Sequence, residues 1–529
     1  MAGAPATIGV VGAGTMGAGI AQLACRAGAR TLVHDPVPEA LARGLDGIRA
    51  QLDRGVERER WSREEADAAA ARIEPAQSLD ALAPCELVIE AAPESLELKH
   101  ELFGALSEIV SERCVLATNT SSLPVTAIAA AASAPERVVG MHFFNPAPVM
   151  RLLEVVAGDA SSSEAIALAQ ATGEAMGKRV ILAADGPGFL VNRCGRPFGL
   201  EGLRLVQEGI ASIEQVDRIC RMGGGFRMGP FELMDLVGVD VGFEVSKSFY
   251  ELSFGEPRWR PSPIAARMVA AGRHGRKSGR GYYDYSSGTH RPEDPEPPPR
   301  GGDDGLVVIA GEAVLADALR DAAAAAGWKV SEHPDPGGEP PFLILDCGIA
   351  GDEPPLQGGP QAILCAEGSL GALDPAGTAA GFHALEPFAE SRLVELTRTA
   401  TTSDTAAQRT ERLFATLGRH VEWVGDAPGL VLGRIVAQLV NEAAFALREG
   451  IGSAEDIDAG MELGLNHPRG PLGWADAIGL DHVLGVLDAL YDEYREERYR
   501  AAPLLRSLVW EGRLGVRTGA GFFEGEPGG

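Results

Sequence analysis

The stretch TIGVVGAGTMGAGIAQLACR, residues 7–26, decides the fold. Residues 7–11 are mostly β-branched and apolar and read as a buried strand. They run into Gly12-Ala13-Gly14-Thr15-Met16-Gly17 and then into a segment of helical character. Gly12 permits a tight turn, Gly14 lets the backbone approach a pyrophosphate, and Gly17 lets the helix lie close on the strand. The helix N-terminus then presents unsatisfied N–H groups to an anion. A second strand, TLVHD, ends at Asp35, 23 residues past Gly12. A carboxylate there accepts hydrogen bonds from a ribose diol and repels a 2′-phosphate, so the site selects NAD over NADP. Strand, glycine turn, helix and acid in this order predict a Rossmann-like α/β domain.

Further strands extend the sheet. ELVIEAAPE (86–94) and CVLATNTSSL (114–123) are buried strands, with the amphipathic helix KHELFGALSEIV (99–110) between them. Residues 37–74 read as a charged helical pair inserted between strands. RVVGMHFFNPAPVMRLLEVV (137–156) reads as two strands around a Pro-containing turn, which sets His142 opposite Glu154, 12 residues on. A His–carboxylate pair suits a general base, because the carboxylate orients the imidazole and stabilises its charged form. Ser121 and Asn192 offer hydroxyl and amide groups able to polarise a substrate oxygen. Taken singly, each has a plain structural reading: a satisfied polar contact, a strand-end serine, a helix-capping asparagine.

Composition narrows the classes. With 47 Lys and Arg against 74 Asp and Glu, the net charge is −27, and no basic footprint for nucleic acid is present. Seven scattered cysteines without a CxxC pair fit reduced thiols in a cytoplasmic protein and offer no metal cage. The first 25 residues carry no charged side chain, yet glycines at 9, 12, 14, 17 and 19 break them up. Neither a signal peptide nor a membrane span is expected.

The strings GAGTMG, NTSSL, HFFNP, LLEVV, DGPGFLVNR, MGPFELMDLVG and GRKSGRGYY follow one another at spacings that resemble the 3-hydroxyacyl-CoA dehydrogenase family across residues 7–285. The resemblance implies NAD-dependent oxidation of a (3S)-3-hydroxyacyl-CoA to the 3-oxoacyl-CoA, and the reverse. It implies that His142 takes the 3-hydroxyl proton with Glu154 as its electrostatic partner, while Ser121 and Asn192 position the substrate oxygen. It further implies NAD contacts from Gly12, Ala13, Gly14, Thr15, Met16, Gly17, Asp35, Glu94, Lys99, Ser121, Asn145 and Lys277. The plain reading of Glu94 and Lys99 is a solvated helix start. In the family the inserted helical pair contacts coenzyme A. Here Arg49, Arg54 and Arg58 lie in that stretch, and Gln51 stands where serine is frequent. Members with two copies in one chain resemble the enzyme that handles 3-hydroxyadipyl-CoA in phenylacetate breakdown, and 3-hydroxybutyryl-CoA is the alternative substrate. Two rivals stand beside this reading. A non-catalytic NAD-binding structural or sensor protein predicts damage to the catalytic set, which is intact. The β-hydroxyacid dehydrogenases rely on a catalytic lysine, and HFFNP with Glu154 argues against them.

The rest of the chain repeats the first part. DGPGFLVNR (185–193) returns as DAPGLVLGR (426–434), and MGPFELMDLVGVD (228–240) as RGPLGWADAIGLD (469–481), both offset by 241. His383 and Glu395 keep the 12-residue spacing of His142 and Glu154. The second nucleotide turn reads as lost, with Ala310, Glu312 and Leu315 in place of Gly12, Gly14 and Gly17 and with Gly433 for Asn192 and Arg517 for Lys277. The segment between that turn and the histidine is shorter as well, 73 residues against 130. The expected organisation is an NAD-binding domain (1–184), a helical C-terminal domain (185–285), a Pro-rich linker (286–304), a degenerate Rossmann-like domain (305–425) and a second helical domain (426–529). The second copy is expected to supply a partner surface, making an intrachain pseudo-dimer that forms one active site and can assemble further as a homo-oligomer.

Overall fold

The computed structural model describes residues 3–525 except 289, 302–304, 336, 339, 349–355 and 357. The chain forms two compact units, Met1–Arg193 with Glu449–Leu465, and Cys194–Arg448 with Asn466–Gly529. The units cut across the boundaries read from the repeat, because one helix of each half packs on the sheet of the other half.

The first unit is built on an eight-stranded sheet: β1 (Thr7–Val11), β2 (Arg30–His34), β3 (Ile73–Ala76), β4 (Leu87–Glu90), β5 (Val115–Thr118), β6 (Val138–Phe143), β7 (Leu152–Ala157) and β8 (Arg179–Ala184). Its order is β3-β2-β1-β4-β5-β6-β7-β8, parallel throughout except for the antiparallel pair β6 and β7. Both faces are covered, which is why β1 and β4 read as apolar runs rather than alternating ones. Ile8, Val10, Ile20, Ala24, Val33, Ile89 and Met141 form the centre of the core. The charged insertion is a helical pair, Pro38–Glu57 and Arg63–Ala70, the second opened by a Ser62–Glu65 capping box.

The second unit carries a seven-stranded sheet: β9 (Leu306–Ala310), β10 (Lys329–Ser331), β11 (Leu343–Asp346), β12 (Gln361–Leu364), β13 (Ala380–His383), β14 (Leu393–Thr397) and β15 (His420–Trp423). Its order, β10-β9-β11-β12-β13-β14-β15, repeats the first sheet without a counterpart of β3 among the described residues. The missing length is therefore the helical pair and the edge strand. An edge strand can be lost without breaking any other ladder, so the shortened sheet stays whole.

The strand register corrects one reading of the repeat. Thr7 pairs with Arg30 and Leu306 with Lys329, so Gly311, not Ala310, stands at the position of Gly12. Gly311 has φ +110°, as Gly12 has φ +99°, and a Cβ on either would strike the backbone after the neighbouring strand. The residues at the Ala13, Gly14 and Gly17 positions are then Glu312, Ala313 and Ala316. The turn survives because the sheet needs it, while the two glycines that serve a ligand and a helix contact are gone.

Each sheet edge is closed by a segment from the other half. In the first unit the Ala184 N–H donates to Ile451 O at 2.8 Å, and Arg193 pairs with Glu449 at 2.8 Å. In the second unit the Gly425 N–H donates to Ile210 O at 2.7 Å, and Arg434 pairs with Glu208 at 2.7 Å. These contacts fall at the same positions shifted by 241 in opposite directions, so each unit repeats the other's join between the two halves of the sequence. Arg434 is fully buried and also meets Glu201 (2.5 Å) and the Tyr499 hydroxyl (2.6 Å). The Pro-rich linker holds neither helix nor strand among its described residues. It is pinned by Asp294 to Arg221 at 2.6 Å and by the Gly301 N–H to Thr416 O.

Candidate active site

At the C-terminal end of β1, the three glycines sit in three different surroundings. Gly12 turns the chain at positive φ, and its amide donates to His34 O. A Cβ on Gly17 would lie 1.8 Å from Gly12 O, so only glycine allows the helix this close. Around Gly14 nothing lies within 4 Å of an added Cβ, which leaves open space over the helix start. The helix Thr15–Arg26 has no side-chain cap and no acidic residue in its first turn, so its N–H groups remain available to a phosphate. Asp35 accepts the Ala13 N–H at 2.9 Å and the Val37 N–H at 2.9 Å, which fixes its carboxylate beside the turn. The residues present fit the pyrophosphate and adenosine ribose of NAD.

Glu94 and Lys99 occupy less expected places. Glu94 gathers the loop after β5, accepting the Thr120 hydroxyl (2.5 Å), the amides of Ser121 and Ser122, and the Ser122 hydroxyl. Its carboxyl is held below the usual range: the hydroxyl and amide donors and Lys99 together outweigh burial, which alone would raise it. Lys99 is 1% exposed and turns its ammonium onto Glu90, 2.8 Å from both carboxylate oxygens, with Glu94 at 3.5 Å. It is an internal anchor, not a surface cation. Glu90, equally buried, also accepts the Thr118 hydroxyl and the Ala92 N–H. Removing either partner of such a pair strands a buried charge at a cost of about 3–5 kcal/mol. Glu90 was not singled out from sequence, although a glutamate ending the apolar strand LVIE must find a cation, and Lys99 lies one helix turn inside the next element.

The β6–β7 pair brings together the His–carboxylate pair expected from the sequence. Its register sets His142 directly opposite Glu154, and Nδ1 of His142 lies 2.6 Å from Oε2 of Glu154, both side chains buried. Oε1 of Glu154 accepts the amides of Leu190 (3.2 Å) and Val191 (2.9 Å) at the start of the helix Val191–Gln207. The carboxylate thus has one oxygen clamped by backbone and the other for the imidazole. This geometry places the proton on Nδ1 and leaves Nε2 as an acceptor. Phe144 and Phe189 flank the imidazole at 4.6 and 5.8 Å between ring centres.

Ser121 and Asn192 are tied to this pair through their neighbours. Asn119 Oδ1 accepts the Phe143 N–H at 2.9 Å, joining the loop of exposed Ser121 to the end of β6. Half-buried Asn192 directly follows Val191, whose amide holds Glu154. Asn145 is exposed two residues past Phe143. Lys277 lies in the second unit, ion-paired with Asp240 at 2.7 Å.

The second hairpin keeps the backbone and loses the network. His383 pairs in register with Glu395 as His142 does with Glu154. Yet Glu395 spends one oxygen on the Val431 amide and the other on the Leu432 amide. His383 instead faces His482, Nε2 to Nε2 at 3.2 Å, and its Nδ1 has no partner among the described residues. A Cβ at Gly433 would lie 2.2 Å from His383 Cε1, so the ring fills the space an asparagine would need. By strand register Ala366 stands at Ser121 and Pro334 at Asp35. A cavity of about 610 Å³ in this unit is lined by Glu367, Asp481, Asp488, Asp492 and Glu493, an acidic wall that repels anionic nucleotides.

The 3-hydroxyacyl-CoA dehydrogenase NAD-binding domain family matches residues 7–186, and the corresponding C-terminal domain family matches 188–285 and again 429–525. The chain is 36% identical over 94% of its length to 3-hydroxyadipyl-CoA dehydrogenase of Escherichia coli K12, covering 96% of that protein. It is 38% identical over 52% of its length to human mitochondrial hydroxyacyl-coenzyme A dehydrogenase, covering 90% of that protein. Among solved structures, 3-hydroxybutyryl-CoA dehydrogenase from Escherichia coli K12 superposes with a TM-score of 0.80 at 35% identity, over 96% of this chain and 99% of the other.

Proposed function

Because the chain belongs to the 3-hydroxyacyl-CoA dehydrogenase family and oxidises 3-hydroxyacyl-CoA with NAD, we propose that the chemistry takes place at the His142–Glu154 pair, one site per chain. The observation that carries this reading is the 2.6 Å contact between His142 Nδ1 and Glu154, clamped from behind by two amides. His142 Nε2 takes the proton of the 3-hydroxyl as the C3–H bond breaks. Glu154 keeps the ring oriented and offsets the charge it gains. Ser121 and Asn192 hold the substrate oxygen by hydrogen bonds. When bound, NAD would supply the acceptor for the hydride that leaves C3. The 12–17 turn, the uncapped helix start, Asp35 and Asn145 would hold it, with Glu94 and Lys99 bracing the loop that carries Ser121 and Lys277 contributing a charge. In the reverse direction His142 returns its proton to the carbonyl oxygen.

For substrate we propose 3-hydroxyadipyl-CoA, as the relative matched over nearly the whole chain carries that name. A 3-hydroxybutyryl-CoA specificity is the alternative, and a solved structure matched over 96% of this chain carries that name. Following NADH formation with both substrates decides between them: a kcat/KM at least tenfold higher for the four-carbon compound overturns the proposal. The reciprocal contacts of the two halves favour an intrachain pseudo-dimer, with turnover per chain independent of enzyme concentration. Activity that falls on dilution would count against it. No helix among the described residues is long and apolar enough to cross a membrane. Seven buried cysteines, none in a disulfide among the described residues, support a reducing, cytoplasmic setting.

A further inference from the structure

The helix Ala454–Leu465 belongs by sequence to the second copy, but it packs in the first unit on β7 and β8. Its seating is specific. The Ile451 carbonyl accepts the Ala184 N–H, and Asp456 accepts the Leu182 N–H and meets Arg179. One face then approaches the start of the helix Val191–Gln207 through Gly460 and Gly464. A Cβ on Gly460 would lie 2.9 Å from Val191 Cγ2 and 3.1 Å from Leu190 Cδ2. On Gly464 it would lie 3.0 Å from Val191 Cγ1, 2.9 Å from Leu152 Cδ2 and 3.5 Å from Phe144. Val191 thus has each of its two γ-methyls seated against one glycine, and a β-branched side chain has no free rotamer to escape into.

These contacted residues are the ones that hold the proposed base. The Val191 and Leu190 amides clamp Glu154 Oε1, and the Phe144 ring lies 4.6 Å from the imidazole of His142. We infer that the helix Ala454–Leu465 is a positioning element for the His142–Glu154 pair, acting through Gly460 and Gly464 on Val191 and Phe144. The inference rests on the catalytic reading of that pair. It gives the copy without a working site a share in the chemistry of the one that has it. The homologous contact in the other unit, Gly223 with an added Cβ 3.4 Å from Leu432 Cδ2, backs Glu395 in the same way but meets no His–Glu bond.

The test is Gly464→Ala in the full chain. The added methyl displaces Val191, and with it the amide that fixes Glu154. A misplacement of about 1 Å costs up to about 100-fold in rate, and here Val191 must give by a few tenths of an ångström. We expect kcat to fall at least tenfold while KM for NAD stays within twofold. The primary deuterium isotope effect with 3-deuterated substrate should rise, because the chemical step becomes slower than product release. Adding Val191→Ala, which vacates both methyl positions, should recover most of the lost rate. Gly460→Ala, which meets the same valine, reads the same effect if Gly464→Ala does not fold. Wild-type kcat and isotope effect in a folded glycine variant overturn the inference, and so does a loss that Val191→Ala fails to relieve. His142→Gln separates the two levels. If that variant is inactive while Gly464→Ala is normal, only the positioning role is lost; if it retains full turnover, the pair itself is not the base.

Discussion

The hairpins β6–β7 and β13–β14 have the same register, the same histidine and the same glutamate, and they differ in how the glutamate shares its oxygens. In the first, Glu154 gives one oxygen to two amides and the other to His142. In the second, Glu395 gives one oxygen to each amide, and His383 is left against His482. Backbone register is held by every ladder bond and every buried side chain, so it outlasts function. The His–carboxylate contact depends on how a few lone pairs are shared, which the strand register alone does not fix. The absence of Pro334's equivalent carboxylate, of Ala366's hydroxyl and of Gly433's amide shows the same erosion at the positions of Asp35, Ser121 and Asn192.

Four measurements can break or sharpen this contrast. The largest effect belongs to His142→Ala, which should lower kcat by ~10²–10⁴-fold with NAD binding nearly intact. His383→Ala should leave kcat within about twofold. Steady-state rates on the two variants side by side would falsify the contrast if His383→Ala lost turnover in a folded protein. Next comes Asp35→Asn, which removes a charged acceptor and should weaken NAD roughly 10- to 100-fold, the worth of a hydrogen bond to a charged group. Calorimetric titration of the wild type should give one NAD per chain, and two equivalent sites would erase the difference between the halves. Third, Gly433→Asn restores the residue type of the first copy but drives its Cβ into His383. It should cost about 1–3 kcal/mol in urea unfolding and recover no second NAD site.

The smallest effect is a pH slope. Burial without an imidazole partner pushes the Glu395 carboxyl up to about 8, above its value near 4.5 in an unfolded chain. The folded state therefore binds the extra proton between those limits. The stability this contributes is complete below the unfolded pKa and is lost as pH rises toward 8. Glu395→Gln, which stays neutral, should gain on the wild type by on the order of 1 kcal/mol between pH 5 and pH 8. Burial acts on His482 in the other direction, to about 4, and lowers His383 as well. Both favour the folded protein above their unfolded value and lose that contribution as pH falls toward 4. Urea midpoints across the range test both limbs, and a Glu395→Gln variant that tracks the wild type at every pH contradicts the assignment.

Local chemistry was legible in sequence. The glycine turn, Asp35 and the opposed His142 and Glu154 follow from residue type and spacing over short distances, and the structure places them as read. What was not legible depends on pairing between distant segments. The Gly12 counterpart was misplaced by one residue because only the ladder from Leu306 to Lys329 sets where β9 ends. Lys99 reads as a surface cation until its helix is seen to point it at Glu90. The helix Ala454–Leu465 has an ordinary amphipathic pattern, and nothing in that pattern says which of two related sheets it will cover.

The covering of β8 has a bearing on chains that are cut short. A polypeptide ending before residue 449 has the complete first sheet but lacks Ile451 and Asp456, the acceptors for the Ala184 and Leu182 amides. Its outermost strand, with the exposed apolar side chain of Leu182 beside bare N–H groups, is then a template for pairing with other chains. Nascent chains stalled in the second copy, or enzyme nicked there by proteases, would therefore be prone to aggregate through β8.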